Sequence, residues 1–126
     1  MLRALLVSLS MVLLAACGGE VVTSPTQQWK DMSFRIETRP PTIKPGMIEF
    51  LVIANRGERK RAHDLLVSLR IGEQGRWTQA IQDGAVGVYR RALRVNDPAN
   101  DVLNVYIRHK DEETILKFPL DFGLPG

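Results

Sequence analysis

Met47–Asn55 reads MIEFLVIAN, the most apolar run downstream of the N-terminal leader. Ile48, Phe50, Val52 and Ala54 alternate onto one face of a strand, as the period of two requires. Leu51 and Ile53 fall on the other face, which predicts a central strand covered on both sides. Just upstream, Lys44-Pro45-Gly46 signals a turn, because Pro pre-sets φ and Gly permits a positive one.

Working outward, the same period recurs. Met32–Thr38 places Met32, Phe34 and Ile36 on one face and Ser33, Arg35 and Glu37 on the other. Arg39-Pro40-Pro41 cannot continue a ladder, since proline has no donor. Beyond the central run, 55–61 (NRGERKR) is a charged loop around Gly57, and Asp64–Ile71 resumes alternation through Leu65, Val67, Leu69 and Ile71. Trp77–Ile81 reads as a short strand. Val88–Val95 carries Tyr89, Leu93 and Val95 on one face, with Arg91 awkwardly among them. That arginine either snorkels to an edge or follows a bulge that resets the phase. Val102–His109 and Thr114–Leu120 are joined by the charged turn Lys110–Glu113, and Pro119 marks the last strand as an edge.

About seven short strands with regularly spaced turns and no helical period predict an all-β domain. Two sheets packed face to face, an immunoglobulin-like β-sandwich, is the expected architecture, with an open barrel second. The chain has 126 residues, enough for one domain, and 25% of them are charged, an ordinary fraction for a globular protein. Its single cysteine excludes an internal disulfide and any site built from several thiolates. The sandwich must therefore stand on packing alone.

That cysteine follows a leader. Residues 1–16 hold 13 hydrophobic residues, Arg3 as the one charge, and an apolar stretch over Ala4–Leu14. The stretch is too short for a bilayer, which needs about 20 residues, and fits a cleaved signal peptide. Leu14-Ala15-Ala16-Cys17 resembles the lipobox of bacterial lipoproteins. The resemblance implies cleavage before Cys17, acylation of that residue, and attachment through several acyl chains, which hold far better than one. Gly18 stands where an Asp commonly retains such proteins in the inner membrane. The expected location is thus the cell envelope, lipid-anchored, on the outer membrane facing the periplasm. Residues 17–28 read as a lipidated N-terminus and flexible tether, reaching roughly 35–40 Å if its eleven residues after Cys17 are extended. Residues 29–126 form the domain.

No residues assemble a nucleophile, base and orienting group in sequence, so no enzymatic activity is expected. His63 and His109 read as surface histidines. Met32, Met47, His63 and His109 are soft or borderline ligands of the kind copper uses, but each is isolated in sequence. No metal ligand set and no cofactor is expected. Charge is more informative. Residues 56–94 carry nine Lys/Arg against four Asp/Glu, while 96–126 carry three against six. The densest basic feature is Arg56, Arg59, Lys60 and Arg61. It reads as a solvated hairpin that discourages edge pairing, or as a contact for an acidic partner or anionic headgroups. Nucleic acid is not an expected partner in the periplasm.

From Pro45-Gly46 through Ile71, and then Asp83-Gly84 and Gly87-Val88-Tyr89-Arg90-Arg91-Ala92-Leu93, the layout resembles the small Ig-like periplasmic modules of the YtkA-like and FixH-like families. Those modules share a late Gly-x-Tyr-x-x-x-Leu strand, whose Tyr packs inside the sandwich. Their late Gly-x-Trp is replaced here by Asp101-Val102-Leu103-Asn104-Val105-Tyr106, and the FixH-like membrane span by a lipid. The functional expectation is a non-enzymatic, lipid-anchored binding or accessory module for an envelope protein or complex. Its contact surface would be an exposed sheet edge or the loop Arg56–Arg61. The alternative implied by the resemblance is a metallochaperone-like role in copper delivery or cytochrome oxidase assembly.

Overall fold

The computed structural model describes residues 22–82 and 84–125. Cys17 and the signal peptide expected over residues 1–16 lie outside the described residues. The strands in chain order are β1 (Gln27–Trp29), β2 (Met32–Arg39), β3 (Gly46–Arg56), β4 (Lys60–Arg61), β5 (Leu66–Ile71), β6 (Thr78–Gln79), β7 (Ile81–Gln82), β8 (Val88–Val95), β9 (Val102–His109) and β10 (Glu112–Pro119). A single 3-10 turn, Leu120–Gly123, follows β10, and there is no α-helix among the described residues.

Two antiparallel sheets pack face to face. One has the order β1-β2-β3-β8-β7, with β4 added to β3; the other has the order β10-β9-β5-β6. Leaving aside the short β1 and β4, this is the wiring of an immunoglobulin constant-type sandwich, with four strands against a three-stranded sheet and one extra hairpin arm. Phe34, Ile36, Phe50, Val52 and Tyr89 from the first sheet meet Val67, Leu69, Leu103, Val105, Ile107 and Phe118 from the second. The 3-10 turn closes one end: Ile43 N–H donates to Gly123 O at 2.8 Å, and a Cβ on Gly123 would collide with the Ile43 side chain.

β3 is central, between β2 and β8, as its apolar run predicts. Leu51 and Ile53 on its outer face are buried, yet among the described residues no second layer covers them. Their cross-strand neighbours are Glu37 and Arg90, and Arg35 and Val88. Arg35 pairs with Glu37, and Glu49 with both Arg39 and Arg90, at 3.7–3.9 Å. Charged side chains thus roof the outer face with their stems and remain partly exposed.

The stretch Trp77–Ile81 is not one strand but two. Thr78 and Gln79 pair with β5 in one sheet, then Ile81 and Gln82 pair with β8 in the other. Buried Ala80 is the pivot, and its N–H donates to Val67 O at 2.8 Å. A sheet switch needs a small residue at the corner, where a side chain would enter the core; periodicity alone does not show it. Arg91 needs no bulge. The β3–β8 register is unbroken from Gly46↔Val95 to Ile53↔Val88, and Arg91 is exposed beyond the short reach of β7.

Part of the segment read as tether lies on the domain. Thr23 bridges to Glu37, Ser24 is buried with its hydroxyl oxygen accepting from Ile36 N–H at 2.8 Å, and Gln27–Trp29 pairs with β2. Its polar composition conceals this, because the docking uses backbone and hydroxyl groups rather than apolar side chains.

Candidate functional site

β3 runs on past the start of β8, and β4 takes the place alongside it. Asn55 pairs with Arg61 and Arg56 with Lys60 around a turn at Gly57, where φ is 71°. The chain then crosses to the second sheet through Ala62–Leu65. Tyr89 holds this crossing from inside: its hydroxyl donates to Ala62 O at 2.8 Å and accepts from Leu65 N–H at 3.2 Å. Tyr89 is buried, as the resemblance implies. Burial pushes its phenol above the ordinary value, outweighing the Leu65 N–H bond.

Gly87, at the start of the Gly-x-Tyr motif, has φ 77° and accepts from Ala54 N–H at 2.9 Å. A Cβ there would sit 2.6 Å from Arg61 Cβ and 3.0 Å from Ala54 O. Glycine is required both for its backbone angle and because the base of the loop rests on it.

At the root of the loop a charged cluster spans the two sheets. Arg56, at the end of β3, reaches Asp64 Oδ1 with Nη2 at 3.2 Å and Asp31 Oδ2 with Nε at 3.6 Å. His109, at the end of β9 in the other sheet, lies 3.0 Å from Asp64 Oδ2 through Nε2. The same nitrogen is 3.5 Å from Arg56 Nη2. The shorter contact assigns the Nε2 proton to the bond with Asp64, since guanidinium can only donate. Burial pushes the Asp64 carboxyl up, but the His109 hydrogen bond, its own backbone and Arg56 outweigh that and hold it below its ordinary 3.8.

The four loop residues singled out in sequence therefore divide. Arg56 turns inward and is ion-paired, so it anchors the loop. Arg59, Lys60 and Arg61 are exposed and make no ion pair among the described residues. Glu58 is the one acid among residues 57–61. An open recess of about 820 Å³, lined by Asp31 and residues 56–60, lies beside them.

Two soft or borderline ligands do converge, but on a cation. Arg56 Nη2 is 3.3 Å from Met32 Sδ and 3.5 Å from His109 Nε2. A fixed positive charge between the two atoms opposes a metal ion there. No group of three or more His, Cys, Asp or Glu side chains is placed to hold a metal among the described residues. The Tyr89 hydroxyl in this region is committed to backbone partners. The arrangement is a cross-sheet clasp that fixes the base of a cationic loop. Asp31, Asp64 and His109 carry no sequence signal for it, because they come together only when the two sheets meet.

No family model, no curated protein and no solved structure matches the chain. What the structure shows is an all-β, two-sheet sandwich with a buried tyrosine in its late strand, and no match supports the YtkA-like or FixH-like resemblance.

Proposed function

We propose that this chain is a lipid-anchored, non-enzymatic binding module of the bacterial envelope, which docks an acidic partner protein through Arg59, Lys60 and Arg61. The anchor is the lipobox reading of Cys17, and the outer membrane facing the periplasm is its proposed address. The observation that supports the docking surface is the division of the loop. One arginine is spent on holding the base in place, and three cations stand clear on a braced hairpin. A bare solubilising loop needs no such bracing, whereas a docking surface gains from ordering before the partner arrives. Cations on a fixed hairpin also raise the rate of encounter with an acidic surface.

The test replaces Arg59, Lys60 and Arg61 with Ser in the full chain and compares the proteins that co-purify from intact envelopes with those held by the wild type. The reading expects one or more specific partners to be lost, and wild-type retention to weaken as salt rises. An unchanged partner set, or retention indifferent to salt, would sink it.

A further inference from the structure

β10 is the free edge of the second sheet, and its residues form a self-complementary series. Its register with β9 determines which backbone groups it leaves over. Residues opposite one another alternate between hydrogen-bonded and non-bonded pairs. The two-residue turn Lys110–Asp111 makes His109↔Glu112 a bonded pair, and the ladder ends on Leu120 N–H donating to Asp101 O at 3.0 Å. The even-numbered residues of β10 therefore turn their backbone groups to β9. Glu113, Ile115 and Lys117 turn theirs outward. In agreement, Lys117 O accepts from the side chain of Gln27 at 2.6 Å rather than serving the ladder.

These three residues also point their side chains to the outer face. Ile115 is 47% exposed, flanked by exposed Glu113 and Lys117. We infer that β10 pairs antiparallel with β10 of a second copy of this chain, about a two-fold axis at Ile115, joining the two four-stranded sheets into one of eight strands. In that register Ile115 meets Ile115, and Glu113 meets Lys117 twice over. All are bonded pairs using the outward-facing groups, with Lys117 O exchanging the Gln27 side chain for a ladder bond. Each carboxylate faces an ammonium, although within one copy Glu113 accepts from the Tyr106 hydroxyl at 2.6 Å and Lys117 lies 3.5 Å from Glu73, so these exposed contacts are shared or exchanged on pairing. Pro119, which has no N–H, lies past the end of this overlap, so it limits the pairing without interrupting it. A shift of two residues in either direction separates Glu113 from Lys117, setting Ile115 opposite one or the other.

The face around Ile115 fits the same partner. Ile115 lies opposite Tyr106 on β9, and Tyr106 meets Trp77 edge-on at 6.1 Å between ring centres. Ser68, Trp77, Tyr106 and Ile115 line a largely apolar hollow of about 370 Å³. Pairing at Ile115 would run two such rows end to end into one continuous apolar stripe, a self-complementary patch of the kind two-fold interfaces use.

The experiment measures self-association of the full chain by sedimentation over a dilution series, for wild type, E113K and the charge swap E113K/K117E. Opposite charges directly across strands attract and like charges repel. Wild type is expected to dimerise, E113K to dimerise at least about tenfold more weakly, and the swap to recover. K117E creates the same clash from the other side, and serves if E113K does not fold. A wild type that stays monomeric at every concentration would overturn the inference. So would a folded single variant that associates as tightly as wild type, or a folded swap that stays as weak as the single variants. None of these results depends on the basic loop.

Discussion

His109 Nε2 lies 3.0 Å from Asp64 Oδ2, tying the end of β9 to the crossing that leaves the other sheet. With Arg56 on the second carboxylate oxygen, one side chain joins both layers of the sandwich at the base of the loop. The sequence separations, 45 residues between Asp64 and His109 and 53 between Arg56 and His109, are those of a tertiary clasp, not a local turn.

Removing the charge from that clasp should have a modest, pH-dependent cost. Asp64 is 41% exposed, so its pairs are well screened, and D64N should destabilise by no more than about 1 kcal/mol at neutral pH. An acid whose folded pKa lies below its unfolded value stabilises the fold above the unfolded value. That contribution is lost as pH falls through the lowered one. Urea unfolding of wild type and D64N should therefore differ near pH 7 and converge below the carboxylate range. A gap that persists unchanged into acid would point to packing instead.

Tyr89 should matter more than Asp64. Its hydroxyl serves Ala62 O and Leu65 N–H inside the crossing, and Y89F leaves both unserved. The expected cost is about 1–3 kcal/mol, seen as a lower denaturant midpoint with an unchanged slope. Because burial raises the phenol's pKa, the folded state holds its proton longer than the unfolded chain, whose ordinary value is 10.0. Wild-type stability should then fall as pH rises past that value, and Y89F should lose this part of the alkaline decline.

The strand pattern was legible in sequence because burial in a two-sheet sandwich leaves period-two apolar rows. Phe34, Phe50, Val105 and Phe118 all fall where alternation places them. Polar devices were not legible. Ser24 docks by its hydroxyl, Ala80 turns a corner by being small, and Leu51 and Ile53 are roofed by charged stems. Each depends on a neighbour distant in the chain. The basic loop was visible as composition, but that Arg56 anchors while Arg59, Lys60 and Arg61 remain open required the positions of Asp31 and Asp64. Likewise, Met32 and His109 looked unrelated, and they meet only around the Arg56 guanidinium.

The proposed acyl anchor on Cys17 would place the domain in the envelope and give the loop its class of partner. The most direct test is labelling growing bacteria with radioactive palmitate while they express the full chain or its Cys17→Ser variant. The account predicts label on the wild-type chain in the membrane fraction and none on the variant. An unlabelled wild type, or label that survives Cys17→Ser, would contradict it.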